Sequence, residues 1–282
     1  AKTPISILTR EILQHAKNID EAIAIAKKRK VFVSESIMVG SAHDNKAVLI
    51  EVAPDKMDVY DVPNTDQLIC SNHFQGEAFA ADKRNQEQIL NSHSEYRYER
   101  MQELLAENEK VNPETASEIL RNKNGLKNIE LGYGSEKALN QLMAHHGIIF
   151  QPKEKRVWVS ANPYQLGEFV CYDLDSVFGE RKSNVESFQI ENLNIAKDPF
   201  LETTAFQNYK KFKIEDHKID SFLDKKETIS PEFLNNYQSL NPDYWVVYYK
   251  AGLYFYQKKE YRQAQLNFEK ALTKEITTLP EK

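Results

Sequence analysis

Apolar residues recur at Ile5, Leu8, Ile12, Leu13 and Ala16, three or four positions apart, the spacing of one helical face. Thr3 offers a capping hydroxyl and Pro4 a preset φ at the first helical position, so the pattern predicts a helix over 4–17. Asp20 reads as the cap of a second helix, in which Ile23 and Ala26 continue the stripe from Ile19 and the last turn carries Lys27, Lys28, Arg29 and Lys30. Cations suit the negative end of a helix dipole, so this basic run reads as a solvated helix end in preference to an anion patch.

From Val31 the period drops to two. Residues 31–33 with 37–39, and then 47–52, alternate as two strands, and the turn formers His43-Asp44-Asn45 make a hairpin of them. Pro54-Asp55-Lys56 turns the chain into a strand at 57–60, and another follows at 67–73 after Pro63-Asn64. Four consecutive short strands predict an antiparallel sheet. Helical spacing returns at 96–107 on Tyr98, Met101, Leu104 and Leu105, and Asn112-Pro113-Glu114 opens a helix carrying Ile119 and Leu120 that residues 122–125 stop. The segment 136–144 fits helix or loop. Residues 146–150 and 157–161 form a second hairpin around a turn at 152–155, and 168–173 adds a strand. Helices, antiparallel strands, helices and strands again predict a layered α+β fold.

Residues 175–232 are polar and dotted with aromatics, without a strong period, and read as a connector with some helix. Further on, Tyr248, Ala251, Gly252 and Phe255 share one helix, and Ala264, Phe268 and Ala271 the next. These offsets resemble the tetratricopeptide repeat (TPR), with Tyr261 opening the second helix. Ala251 stands where leucine is usual, and one repeat is visible where about three stack. An amphipathic hairpin packed on its own domain explains the same pattern.

Composition narrows the function classes. With 41% hydrophobic and 28% charged residues, and 9 Gly among 282, the chain is neither fibrous nor disordered. A net charge of -5 offers no field for a phosphate backbone, so no nucleic-acid partner is expected. No apolar run approaches the roughly 18 residues of a membrane span, and the amphipathic start lacks the core of a signal peptide. The chain opens at Ala1 without Met, which predicts processing or a longer parent protein, with any targeting signal upstream. Cys70 and Cys171 form no CxxC pair, and the seven histidines show no HxH or HxxxH spacing. Neither a metal nor a cofactor is expected, and no phosphate loop, nucleophile elbow or paired glycosidase signature is present.

The run Leu68-Ile69-Cys70-Ser71-Asn72-His73-Phe74 begins apolar and ends in a thiol, a hydroxyl, an amide and an imidazole. Polar groups at the end of a core strand are costly unless used or bonded. Alternation sets Cys70 and Asn72 on one face and Ser71 and His73 on the other, a poor arrangement for a local Cys–His dyad. A thiol there reads as a small buried hydrophobe. The amide of Asn72 can donate to a developing oxyanion without changing charge, and an Asn capping its own turn is the alternative. A cysteine enzyme pairing Cys70 with a distant histidine such as His145 is a further reading.

Residues Ile69-Cys70-Ser71-Asn72-His73-Phe74, with Ser94-Glu95-Tyr96-Arg97-Tyr98-Glu99-Arg100 some twenty residues on and Val157-Trp158-Val159-Ser160-Ala161-Asn162-Pro163 later, resemble the acyl-coenzyme A:6-aminopenicillanic acid acyltransferase family, relatives of choloylglycine hydrolase. The helices over 7–29 and the hairpin over 33–51 resemble it too, and the similarity covers about residues 1–175. It implies an N-terminal-nucleophile hydrolase with a four-layer αββα sandwich, whose precursor cleaves itself to expose a cysteine with a free α-amine as its own general base. The acyl group then passes through a thiol ester to water or an amine. On this resemblance Asn72 is the oxyanion donor, and His73 and Phe74 lie near the substrate pocket.

The chain departs from that pattern at its start. Residue 1 is Ala, and Cys70 and Cys171 are internal and have no free α-amine. Thr3 would need the removal of two residues. The expectation is a downstream part of such an enzyme, incomplete at its N-terminus, inactive alone, and partnered by an upstream segment of the same protein carrying the nucleophile. Its domains are expected at 1–175 (acyltransferase-like), 176–232 (connector) and 233–282 (TPR-like hairpin). Small-molecule amides or acyl thioesters are the implied substrates, with bile-acid-like, β-lactam-like and peptide amides fitting equally. The competing hypothesis is a scaffold module whose C-terminal hairpin binds a protein through an exposed groove along Tyr248, Phe255 and Phe268.

Overall fold

The computed structural model describes residues 2–62, 65–179 and 187–277, so Pro63 and Asn64 lie outside the described residues. The chain forms two compact units, one of residues 1–102, 150–157 and 172–189, the other of 103–149, 158–171 and 190–282.

The first unit opens with helices α1 (Ile5–His15) and α2 (Ile19–Lys27). Their caps differ from expectation. Pro4 itself occupies the cap of α1, while the Thr3 amide donates to Lys30 O at 2.6 Å and Thr3 bridges Val31 in parallel. Asn18 caps α2 by accepting from Glu21 N, and Asp20 lies inside the first turn. An Asn with extended backbone can reach that amide, which a residue already helical cannot. The stretch 31–33 therefore contributes a single bridge, not a strand.

Strands β1 (Glu35–Ser41), β2 (Lys46–Val52) and β3 (Met57–Tyr60) form an antiparallel sheet in that order. Glu35 stands opposite Val52, and Val52 opposite Met57. The left-handed Asn45 (φ 52°) allows the tight β1–β2 turn. Val48, Ile50 and Val52 pack with Leu8, Ile12, Ile19, Ala22 and Ala26 of the two helices. Leu49 and Glu51 point to the other face and are also fully buried. Residues 67–73 are not the expected fourth strand. Their polar groups bond to side chains and to the start of α4, not to a neighbouring ladder. Helices α3 (Lys83–Asn91) and α4 (Ser94–Ala106) follow.

Beyond them come α5 (Pro113–Leu120), capped by Asn112 as its sequence predicts, and turns without regular helix over 136–144. Strands β4 (Ile148–Gln151), β5 (Arg156–Ser160) and β6 (Phe169–Asp173) make a second three-stranded antiparallel sheet. Helices α6 (Leu174–Phe178), α7 (Thr204–Lys225), α8 (Pro231–Leu240), α9 (Trp245–Gln257) and α10 (Tyr261–Leu272) complete the described chain. The fold is thus mixed α and β, with two small antiparallel sheets.

Within the second unit α7 buries Phe206, Tyr209, Phe212, Ile219 and Leu223 against Leu234, Tyr237, Val247, Tyr248 and Ala251. Helices α9 and α10 cross so closely that a Cβ on Gly252 would sit 2.5 Å from the Phe268 ring. Arg121 is buried and donates to three backbone carbonyls, Gln165 O at 3.3 Å, Gly167 O at 2.7 Å and Ala196 O at 3.0 Å. One guanidinium so ties two loops, one at 165–167 and the other at 196. No helix among the described residues is long and apolar enough to cross a membrane.

Candidate functional site

An open cleft of about 1340 Å³ lies in the first unit, and Ser36, Lys56, Cys70, Asn72, Phe74 and Asp82 are among its lining residues. Part of its wall is the irregular segment 70–74, held in place from two sides.

From one side, the first turn of α4 holds alternate residues. The Ser71 hydroxyl donates to Ser94 O at 2.8 Å, the Ser94 hydroxyl donates to Ser71 Oγ at 3.1 Å, and His73 Nδ1 lies 2.8 Å from Ser94 Oγ. With the Ser94 proton directed to Ser71, Nδ1 carries the proton of the last bond. His73 is itself buried, its ring 5.6 Å from that of Tyr98 and its Nε2 3.7 Å from a Glu95 carboxylate oxygen. Burial pulls its pKa below the usual histidine value, against the opposing pull of Glu95. Asn72, between these two anchors, is exposed, and its Oδ1 accepts from an Arg97 guanidinium N–H at 2.7 Å.

From the other side, carboxylates of the first sheet hold the loop that follows. Glu51 is fully buried and accepts from Gln75 N at 2.7 Å and Gly76 N at 2.9 Å. Asp58 accepts from Ala78 N at 2.8 Å. The loop lies so close that a Cβ on Gly76 would be 2.6 Å from Asp58 Oδ2 and 2.9 Å from Glu51 Oε2. Burial raises the pKa of Glu51 against the two amide bonds, which lower it, and the nearby Asp58 charge adds to the rise. Asn85 clamps Phe74 at both backbone groups, accepting from its N–H at 2.8 Å and donating to its carbonyl at 2.9 Å. The Phe74 ring packs, tilted, against Phe79 with centroids 4.1 Å apart, and Lys56 lies over Phe79 while pairing with Asp82 at 2.6 Å.

The two cysteines differ in setting. Cys70 is half-buried on the cleft, and burial pushes its thiol pKa up, although a hydrogen bond with Ser36 opposes this. That thiol is a weak nucleophile at neutral pH. Cys171 is fully buried among Ile149, Trp158, Phe169 and Ile195. Among the described residues no three His, Cys, Asp or Glu side chains converge as a metal-ligand set.

Asn72, His73 and Phe74 therefore all line one cleft, and the His73 ring is bonded to α4. Sequence reasoning missed the residues that hold them. Ser94 and Arg97 stand inside the Ser94–Arg100 stretch singled out above, but their link to residues 71–73 is non-local. Glu51 carried a signal of its own, a charge in the otherwise apolar strand Ala47-Val48-Leu49-Ile50-Glu51-Val52. Asn85 carried none.

A family model described as Acyl-coenzyme A:6-aminopenicillanic acid acyl-transferase matches residues 1–163. The chain belongs to this acyltransferase family. No curated protein and no solved structure matches the chain. The matched span contains the whole cleft, Asn72 and both sets of residues that hold it, whereas helices α7 to α10 lie beyond it.

Proposed function

We propose that this chain supplies the oxyanion side and the substrate cleft of an N-terminal-nucleophile acyltransferase or amide hydrolase, within an αββα sandwich completed by an upstream segment. The substrate is a small-molecule amide or acyl thioester. The nucleophile is an upstream cysteine exposed by self-cleavage, whose α-amine takes the thiol proton as the sulfur attacks the acyl carbonyl. The carbonyl oxygen gains the negative charge, and the Asn72 Nδ2–H donates to it. Collapse of that intermediate breaks the bond to the amine or thiolate leaving group, which takes the proton back from the α-amine. Water or a second amine then attacks the thiol ester by the same route and frees the enzyme.

What supports this reading is that Asn72 lines the cleft inside the span matched to the family. His73 and Phe74 shape the wall beside it. The raised pKa of Cys70 and the full burial of Cys171 favour a nucleophile elsewhere. The acyltransferase part takes residues 1–175, a connector 176–232, and a TPR-like hairpin 233–282. The scaffold alternative has less support, because Tyr248 is buried and Phe255 is packed on the same core.

The test is thiol release from acyl-coenzyme A thioesters by the full-length protein. Asn72→Ala should lower kcat by about 10²- to 10³-fold with KM nearly constant, as removal of one oxyanion donor does. A variant within about threefold of wild type in kcat would falsify the assignment.

A further inference from the structure

We infer that Arg97 is a positioning residue that fixes which end of the Asn72 carboxamide faces the cleft, an inference that rests on Asn72 as the oxyanion donor. A carboxamide has two nearly isosteric ends, one an acceptor and one a double donor. Only one of the two orientations helps an acyl transfer. Turned the other way, Asn72 would present an oxygen to a developing oxyanion and repel it.

The geometry removes that choice. A guanidinium has five N–H donors and no acceptor, so whatever Arg97 touches at 2.7 Å must accept, and on Asn72 that atom is Oδ1. Reversal would set an NH2 against an N–H donor and lose this charge-assisted bond. Arg97 is itself held on α4 three residues after Ser94, on the same helical face. Ser94 grips Ser71 and His73, the residues on either side of Asn72. One helical face thus pins the backbone around Asn72 through Ser94 and its amide through Arg97. The charge behind the carbonyl also polarises the amide, so its N–H groups become better donors toward the cleft.

The inference makes Arg97 act through Asn72 alone, and a double-mutant cycle reads that directly. Thiol release from butyryl-coenzyme A by the full-length protein is measured for wild type, Asn72→Ala, Arg97→Gln, Arg97→Lys and the double variant Asn72→Ala/Arg97→Gln. Arg97→Gln should lower kcat by about 10- to 100-fold with KM within about twofold, a part of what losing the donor costs. Arg97→Lys, which keeps a charged donor, should recover most of that loss. In the Asn72→Ala background Arg97→Gln should change kcat by less than about twofold. Multiplying losses, or a loss that falls on KM, would overturn the inference and place Arg97 against the substrate. Full kcat in Asn72→Ala would instead sink the oxyanion reading. A neutron crystal structure of the wild-type protein decides the orientation whether or not that thioester turns over. Two deuterons on Asn72 Nδ2 directed to the cleft support the inference, and a deuteron of Asn72 lying between it and Arg97 refutes it.

Discussion

Replacing Glu51 by Ala removes both acceptors of the loop that follows the cleft wall. The carboxylate is fully buried and binds Gln75 N at 2.7 Å and Gly76 N at 2.9 Å. Each buried N–H left without a partner costs about 1–3 kcal/mol, so Glu51→Ala should lose about 2–5 kcal/mol. That is a large share of a typical stability of about 5–15 kcal/mol. Glu51→Gln keeps one acceptor and turns an NH2 toward the other amide, so it should lose about half as much. The pH dependence has a definite sign. Burial and Asp58 hold the native pKa above the ordinary value of 4.5. Between those two values the native state binds more protons than the unfolded one, so this group's contribution falls as pH rises through the window and is level above it. Glu51→Gln does not titrate, so the advantage of wild type over it should shrink as pH rises from 4.5. Urea unfolding followed by near-ultraviolet circular dichroism, at several pH values, measures both effects. A Glu51→Ala protein within about 0.5 kcal/mol of wild type, below the cost of even one orphaned amide, would refute the reasoning.

Three further outcomes follow from the packing and the thiols. Gly252→Ala places a methyl 2.5 Å from the Phe268 ring and should cost about 1–3 kcal/mol, partly recovered by Phe268→Leu, in thermal unfolding; an unchanged melting temperature would contradict the close crossing. Arg121→Leu strips three carbonyls of their donor and should cost about 2–4 kcal/mol by the same assay, and a loss under about 0.5 kcal/mol would contradict it. Cys70, its pKa raised by burial, should react with a disulfide reagent at pH 7.5 more slowly than free cysteine and accelerate as pH rises; equal rates would contradict a weak thiol.

Local patterns made much of the fold legible. Helices α1 and α2 follow from short-range apolar spacing, α5 also from its Asn112 cap, and the β1–β2 hairpin from its turn residues, signals that act within a few positions of each other. Residues 67–73 misled because Leu68 and Ile69 look like a strand, whereas the partners of Ser71 and His73 sit more than twenty residues away on α4. Helix α7 buries Phe206, Tyr209, Phe212, Ile219 and Leu223, a helical series hidden by the charged residues between them. At the cleft, Asn72 is the residue that the family resemblance singles out, and Arg97 lies within the Ser94–Arg100 stretch of that same resemblance. Their contact spans 25 residues and depends on the tertiary placement of α4, which no local pattern encodes.

The proposed acyl transfer through an upstream cysteine would leave a covalent mark. The full-length protein, trapped by rapid acid quench after mixing with butyryl-coenzyme A, can be digested and mapped by mass spectrometry. The acyl group should sit on a cysteine preceding Ala1, with Cys70 and Cys171 unmodified. A butyryl group on Cys70, in the cleft beside Asn72, would contradict the mechanism and move the nucleophile into this chain.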